Sequence, residues 1–263
     1  MLFMSYVAVD LGGTNMRVAI SETLDEPKFE RRINRVNVHD YDSDLGFVIE
    51  SIQELRAGSK VHGVGIGVPG RVNEDRTLMV GSNNLPTWQN KDFRSYIANE
   101  FACDVYLDND GIAAATGEAI YGNAQTPFQY LIWGTGISAA SLDRIKSNHV
   151  SVTYLRRQFH DFFEDWEVAC SGSGILKRYG RSAENLSAKE WEEVVGGFNL
   201  YLKKFINLSG ARRIVIGGGI ANAHAQILLD SSFSLGVSLS TSNFGNDGGL
   251  VGALALIKNA QPS

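Results

Sequence analysis

Residues 7–20 read VAVDLGGTNMRVAI. Two β-rich apolar runs flank a Gly-Gly-Thr break, the pattern of a strand, a tight turn and a second strand. Gly12 and Gly13 carry no Cβ, so their backbone N–H groups can approach an anion, and the Thr14 hydroxyl adds a donor. Asp10 ends the first strand, where a carboxylate can hold Mg²⁺ through water alongside phosphate oxygens. A plain hairpin turn explains the same residues equally well. Residues 130–142 repeat the strand–turn–strand pattern, with Gly134, Thr135 and Gly136 at the turn. Two such turns in matching halves would clamp a polyphosphate from both sides.

The rest of the chain continues the repeat. Short apolar runs ending in glycine alternate with helical stretches, which reads as an α/β architecture of two similar lobes with a cleft between them. Leu45, Val48, Ile49, Ile52 and Leu55 follow a helical period. Ser187 with Glu190 is a capping-box signature, and Trp191, Val194, Val195, Phe198, Tyr201, Leu202 and Phe205 then share one helical face. Asp247 can cap a last helix carrying Leu250, Val251, Leu254 and Ile257. GNAQTP, residues 122–127, reads as the turn between the lobes.

Composition narrows the function classes. The 263 residues suit one large domain or two small ones. With 24 basic and 29 acidic residues the net charge is −5, which argues against nucleic-acid binding by bulk charge. Hydrophobic residues are 44% and charged residues 20%, a globular rather than a disordered balance. No apolar run approaches the ~18 residues of a membrane span. The N-terminus has no basic n-region, so no signal peptide is expected. Cys103 and Cys170 form no CxxC pair, which excludes a disulfide scaffold and a cysteine-based zinc site and points to a reducing cytoplasm.

Three further segments carry chemistry. VYLDNDGIAAA, residues 105–115, places Asp108, Asn109 and Asp110 at a strand end before a small-residue helix. A carboxylate there can take the proton of an acceptor hydroxyl in phosphoryl transfer; alternatively Asp110 caps the helix and Asp108 is solvated. IVIGGGIA, residues 214–221, offers a flat backbone surface to a ring or ribose, or simply close helix–strand packing. GSNNLPTW, residues 81–88, offers amides that suit sugar hydroxyls, or a surface turn anchored by a Trp. His149, His160, Glu164 and Glu167 fit no metal-ligand spacing. The pairs Arg31-Arg32, Arg156-Arg157 and Arg212-Arg213 read as solvated faces.

Taken in order, DLGGTN, GVGIGVPGRV, SNNLPTW, LDNDGIAAATGEA, WGTGI, IVIGGGIA and NDGGLVGAL resemble the ROK family (repressors, open reading frames, sugar kinases) of the actin-like ATPases. The resemblance implies two ribonuclease-H-like lobes, each a mixed sheet flanked by helices. The N-terminal lobe would span 1–120, rejoined by a helix over 246–259, and the C-terminal lobe 121–245. It implies ATP, Mg²⁺ and a hexose or N-acetylhexosamine. By position, Asp110 resembles the catalytic base. Gly67, Gly70, Asn84, Asn109, His149 and Glu167 resemble sugar-pocket residues. Asp10, Gly12, Gly13 and Thr14 match the first phosphate turn, Gly134, Thr135 and Gly136 the second, and Gly218 and Gly219 the adenosine segment. A homodimer is implied as well.

The sequence also departs from the family pattern. Ser138-Ala139-Ala140 replaces a Gly-rich run, and added Cβ atoms there would crowd a phosphate. Lys146 stands where a Glu usually precedes the sugar-binding His. The cysteine-rich zinc motif is missing, so no zinc is expected. Only nine residues precede Asp10, which disfavours a DNA-binding repressor. The leading expectation is an ATP-dependent sugar kinase, without nucleic-acid or membrane partners. The alternative is a non-catalytic sugar- or nucleotide-binding regulatory protein on the same fold.

Overall fold

The computed structural model describes residues 4–29, 31–36, 38–146, 149–224 and 236–261. The chain divides into two compact units. One comprises Met1–Tyr121, Ile145–Val150 and Asp247–Ser263, the other Gly122–Arg144 and Ser151–Asn246.

The first unit is built on the strands β1 (Met4–Leu11), β2 (Asn15–Ser21), β3 (Arg31–Val36), β4 (Lys60–Val68) and β7 (Asp104–Asn109). They form one sheet of order β3-β2-β1-β4-β7. A small hairpin of β5 (Arg71–Val72) and β6 (Met79–Gly81) follows β4. β1 pairs antiparallel with β2 and parallel with β4, and β4 pairs parallel with β7. The period of two along β1 assigns its faces. Val7, Val9 and Leu11 join Val64 and Ile66 in a core with Val48 and Ile52 of α1 (Tyr41–Arg56) and Phe93 and Ile97 of α2 (Phe93–Phe101). Ala8, on the opposite face, packs with Leu250, Ala253 and Leu254 of the last helix, α9 (Gly248–Ala260).

That second face depends on the glycines of GVGIGV. Gly63, Gly65 and Gly67 alternate along β4. A Cβ on Gly65 would lie 1.8 Å from the Ala253 carbonyl oxygen, and one on Gly63 3.2 Å from Ile257. One on Gly67 would lie 3.4 Å from the Asp110 Cα, at the start of α3 (Asp110–Tyr121). The alternate glycines therefore let α9 lie directly on the strand. α9 and α3 meet through equally small residues, since a Cβ on Gly252 would fall 2.4 Å from the Ala113 carbonyl carbon.

The second unit repeats the topology. Its sheet has the strands β8 (Phe128–Trp133), β9 (Ile137–Lys146), β10 (His149–Tyr154), β11 (Arg213–Gly217) and β12 (Ser238–Thr241), in the order β10-β9-β8-β11-β12, with the end of β9 and the start of β10 grouped with the first unit. β8 pairs antiparallel with β9 and parallel with β11, as β1 does with β2 and β4. Short α4 (Leu155–Gln158) leads into α5 (His160–Cys170), α6 (Gly172–Tyr179), α7 (Ala188–Ser209) and α8 (Gly219–Ala223). Trp133 stacks on Phe198 with ring centroids 3.8 Å apart, and Phe163, Trp166 and Phe205 complete an aromatic core. The two-lobed α/β reading is thus the observed architecture, with a mixed sheet and flanking helices in each unit.

Several local expectations need correction. The Ser187–Glu190 capping box forms at the start of α7. Asp247, however, occupies the N-cap of α9 without a side-chain cap bond; its carboxylate pairs with Arg32 at 2.6 Å instead. Arg213 donates to the carbonyl of Gln125 at 2.8 Å. The arginine pairs are therefore not simply solvated faces. Ala139 and Ala140 pair with Leu131 and Tyr130 inside the sheet, and both are buried. Ala139 packs in the core with Leu131 and Trp133, and Ala140 points to the opposite face of the sheet.

Candidate functional site

The predicted residues gather in two clusters, one in each unit. In the first unit, Gly12 N–H donates to the Asn15 carbonyl at 2.8 Å and closes the β1–β2 turn, leaving Thr14 exposed at its tip. A Cβ on Gly12 would lie 2.5 Å from that carbonyl, and one on Gly13 2.8 Å from the Asn84 Cβ. The first turn and Asn84 are therefore in contact. Asn84 is held by Ser82, whose hydroxyl accepts from the backbone of Asn84 at 3.2 Å and Leu85 at 3.0 Å and donates to the Pro69 carbonyl. The Asn84 amide itself is exposed and makes no hydrogen bond with the described residues. Gly70 underlies the same loop, because a Cβ there would meet the Gly81 carbonyl at 2.4 Å.

Asp10 lies on the Ala8 face of β1, so its carboxylate reaches the first turn of α9. It occupies the space beside Gly249, where a Cβ would come within 2.4 Å of Oδ2. Arg17, directly opposite Asp10 in the hairpin register, donates through Nε at 3.0 Å and through a terminal nitrogen to the same oxygen. Oδ1 takes no partner among the described residues. One available carboxylate oxygen beside a Gly-Gly-Thr turn suits a Mg²⁺ ion that keeps most of its own waters. Arg17 was not anticipated, although counting back across the turn from Leu11–Met16 pairs it with Asp10.

At the end of β7 the three polar residues separate by role. Asp108 is almost fully buried and accepts from Arg76 Nε at 2.9 Å, so it is not solvated. Asn109, not Asp110, caps α3: its Oδ1 accepts from Gly111 N–H at 3.0 Å and Ile112 N–H at 3.3 Å. Its Nδ2 donates to the carbonyls of Gly70 at 2.8 Å and Val68 at 3.4 Å. The amide is saturated by backbone, and it ties the GVPG loop to the helix start. Asp110 is the first helical residue, with Oδ1 accepting from Gly111 N–H at 2.8 Å. Burial pushes the Asp110 carboxyl up, the negative charge of Asp10 pushes further, and the hydrogen bonds oppose this only in part. The result is a pKa of about 7.

In the second unit, Gly134 N–H donates to the Gly136 carbonyl at 3.0 Å. The first N–H groups of α6 donate outward, Gly172 to the Gly134 carbonyl at 2.8 Å and Ser173 to the Thr135 carbonyl at 3.0 Å. In a trans peptide the C=O and the following N–H point in opposite directions. The N–H groups of Thr135 and Gly136 therefore point away from α6, and neither bonds to a described residue. Two adjacent amides without a partner among the described residues and an exposed Thr hydroxyl are donors that could serve an anion.

Glu167 reaches this same turn. Its Oε1 accepts from Ile137 N–H at 2.9 Å, and its Oε2 pairs with Arg156 at 2.5 Å. Gly219 lies close to Gly134, and a Cβ on Gly219 would meet nothing within 4 Å. Gly217 and Gly218 serve packing: Cβ atoms there would come within 2.0 Å of the Tyr130 hydroxyl and 2.5 Å of the Trp133 carbonyl, and Gly218 has φ +103°. The backbone of His149 opens β10, and its side chain and that of Lys146 lie outside the described residues.

Comparison with known proteins follows the same lines. The ROK family model matches residues 6–142, just over half of the chain. A glucokinase from Thermotoga maritima is 28% identical over 135 residues, covering 50% of this chain and 42% of that protein. A xylose repressor from Caldicellulosiruptor bescii is 26% identical over 192 residues, covering 70% of this chain and 48% of the repressor. The chain thus spans less than half the length of either relative. The fold matches a ROK family glucokinase from Streptomyces griseus, solved with glucose and AMPPNP, at a TM-score of 0.76 and 17% identity, covering 96% of this chain and 98% of that one. With its family model matched across the first unit and into the second, this chain belongs to the ROK family.

Proposed function

We propose that the protein is an ATP-dependent sugar kinase that phosphorylates a hydroxyl of a hexose or N-acetylhexosamine. The observation that carries this reading is Asp110. A carboxyl with a pKa of about 7 can be deprotonated at working pH yet still draw a proton from a hydroxyl. Asn84, with its unspent amide against the first turn, is the acceptor-binding partner. Kinases and repressors both occur among the relatives, and the intact Asp10, Thr14 and Asp110 favour catalysis.

Bound Mg·ATP supplies the phosphoryl group and its counter-charge. The chain's residues do the rest. Asp110 Oδ2, not engaged by Gly111, takes the acceptor proton as the hydroxyl oxygen attacks. Asn109 fixes the helix start that carries Asp110. In the first unit the Gly12–Thr14 turn would offer N–H donors to phosphate oxygens and Asp10 would hold the ion; in the second unit the Thr135 and Gly136 amides would offer donors of the same kind. Phosphoryl transfer asks mainly for such positioning and charge stabilisation. The enzyme is proposed to work as a cytoplasmic homodimer without zinc.

Two outcomes check this. With Mg·ATP saturating, kcat/KM for the sugar should rise with pH through an acidic limb that lies above the ordinary carboxylate range, because burial still opposes ionisation of Asp110 when the Mg²⁺ charge offsets that of Asp10. The same limb persisting in Asp110→Asn would show that the base lies elsewhere. Asn84→Ala should raise KM for the sugar by about tenfold while leaving KM for ATP within twofold, the cost of a hydrogen bond or two. Equal effects on both would remove Asn84 from the acceptor pocket.

One observation favours the second reading, a non-catalytic sugar- or nucleotide-binding protein: Asn109 and Glu167 are both spent on partners within the chain. ADP release that no member of a hexose and N-acetylhexosamine panel stimulates, with both ligands still bound, would decide for it.

A further inference from the structure

The β5–β6 hairpin lies between two acceptor-side elements, Gly70 before it and Asn84 after it. Its turn is fixed by its own polar groups. Asn73 Oδ1 accepts from the N–H groups of Thr77 at 2.9 Å and Leu78 at 2.8 Å, and Arg76 N–H donates to the Asn73 carbonyl at 3.2 Å. Within this turn Arg76 has φ +55°, a left-handed conformation that glycine adopts freely and a residue with a long side chain adopts only at a cost. The Arg76 side chain reaches from the turn to the end of β7, where Nε donates to Asp108 Oδ2 at 2.9 Å. The Asp108 side chain is 3% exposed, and its Oδ1 accepts from Asn109 N–H at 2.8 Å. A carboxylate withdrawn this far from water is costly unless it is paired and hydrogen-bonded. At the root of the hairpin the next residue holds again, with Asn109 Nδ2 on the Gly70 carbonyl at 2.8 Å. Consecutive residues at the end of β7 thus grip the hairpin at its turn and its root, and the residue after them is Asp110.

We propose that Arg76 and Asp108 form a latch that seats the β5–β6 hairpin on the end of β7, which makes them positioning residues for the acceptor: they fix the Asn84 loop relative to Asp110. This rests on the kinase reading above. The fold alone does not ask for the pair. Glycine at position 76 would take the turn without strain, and an apolar residue at position 108 would be buried without desolvating a charge. The pair costs stability at both ends, and its directional bond links two elements that must keep a set spacing. Without it the hairpin is held at the root alone, and a bound sugar has to order the rest. Ordering even one residue's backbone weakens binding by about tenfold. Nucleotide affinity should hold, because the Gly12–Thr14 turn is closed by its own Gly12–Asn15 hydrogen bond.

The test is calorimetric titration with Mg·AMPPNP, and separately with the hexose or N-acetylhexosamine that wild type binds most tightly. Wild type is compared with Arg76→Gly, Arg76→Lys, Asp108→Asn and the double variant of Arg76→Gly with Asp108→Asn, and melting is followed alongside. Arg76→Gly removes the side chain and relieves the left-handed backbone, so a residue that served the turn alone would be replaced without loss. Instead, sugar affinity should fall by about tenfold in a protein that still melts cooperatively, with AMPPNP affinity within twofold of wild type. Arg76→Lys should recover part of the loss. Asp108→Asn should weaken sugar binding in the same way, and the double variant should bind no worse than the weaker single variant. Sugar affinity within twofold of wild type in both single variants would overturn the latch and leave the kinase reading standing. Sugar and AMPPNP affinity falling together, or losses that add in the double variant, would overturn the latch as well. Wild type that binds no sugar of the panel, or no AMPPNP, would overturn the kinase reading and the latch with it.

Discussion

Under the proposed mechanism, Asp110→Asn should lower sugar-dependent turnover by about 10²–10⁴-fold, the usual cost of losing a well-placed general base. It should also raise the melting temperature above pH 7. The two effects share one cause. The folded Asp110 carboxyl has a pKa of about 7, above its ordinary value of 3.8, because burial and the Asp10 charge oppose ionisation. Between these values the folded state binds more protons than the unfolded state, so stability falls as pH rises. The substituted amide would carry no charge to desolvate and none to be repelled by Asp10, while its oxygen keeps the bond from Gly111 N–H. Melting curves at pH 5 and pH 8 separate the cases. The variant should melt somewhat above wild type at the lower pH, which already lies between the two pKa values, and further above it at the higher. A variant that melts lower at pH 8 would show that the carboxylate is a stabilising partner rather than a strained base. KM for the sugar should move far less than kcat, since the lost interaction belongs to the transition state.

Gly65→Ala should be the most damaging single methyl in the first unit. Its Cβ would sit 1.8 Å from the Ala253 carbonyl oxygen, a backbone atom that cannot rotate away. Relief requires lifting α9 from β4, against the contacts of Leu250, Ala253 and Leu254 with Ala8 and Ala19. The cost should reach the upper end of overpacking penalties, about 3 kcal/mol, out of a total of roughly 5–15 kcal/mol for a folded protein. That corresponds to a fall of about 6–12 °C in melting temperature for a chain of this size. Gly46→Ala provides the control. Gly46 lies inside α1 and a Cβ there would meet nothing within 4 Å, so helix propensity alone should stabilise by about 0.5–1 kcal/mol. A Gly65→Ala protein as stable as wild type would mean that α9 does not rest on the β4 glycines.

How much of this was legible beforehand varies with the range of the interaction. Strand–turn–strand repeats, the α7 capping box and the apolar face of α7 follow from local spacing, and they stand in the structure. The alternating glycines of GVGIGV were visible as a cluster, but their partner is α9, nearly two hundred positions later in the chain. By composition alone, Asn109 and Asp110 are equally good caps for α3; the tie is broken by the Gly70 carbonyl, which anchors Asn109 from the other side. Arg17 was recoverable from hairpin register, since it faces Asp10 across the turn. Glu167 was not. Nothing local says that a helical glutamate will turn onto Ile137, thirty residues earlier, with Arg156 closing the ring. Family resemblance relates that glutamate to the sugar, and its hydrogen bonds in the structure run to Ile137 and Arg156.

The most direct test of the central claim follows the phosphoryl group itself. [γ-³²P]ATP and Mg²⁺ are incubated with the protein and a panel of hexoses and N-acetylhexosamines, and labelled sugar phosphate is separated from labelled phosphate. Label should appear on one sugar or a small related set with wild type, and the Asp110→Asn rate should be lower by about 10²–10⁴-fold. Label that stays on ATP with every sugar, or a variant that transfers it as fast as wild type, would contradict an account in which Asp110 draws the proton from a sugar hydroxyl.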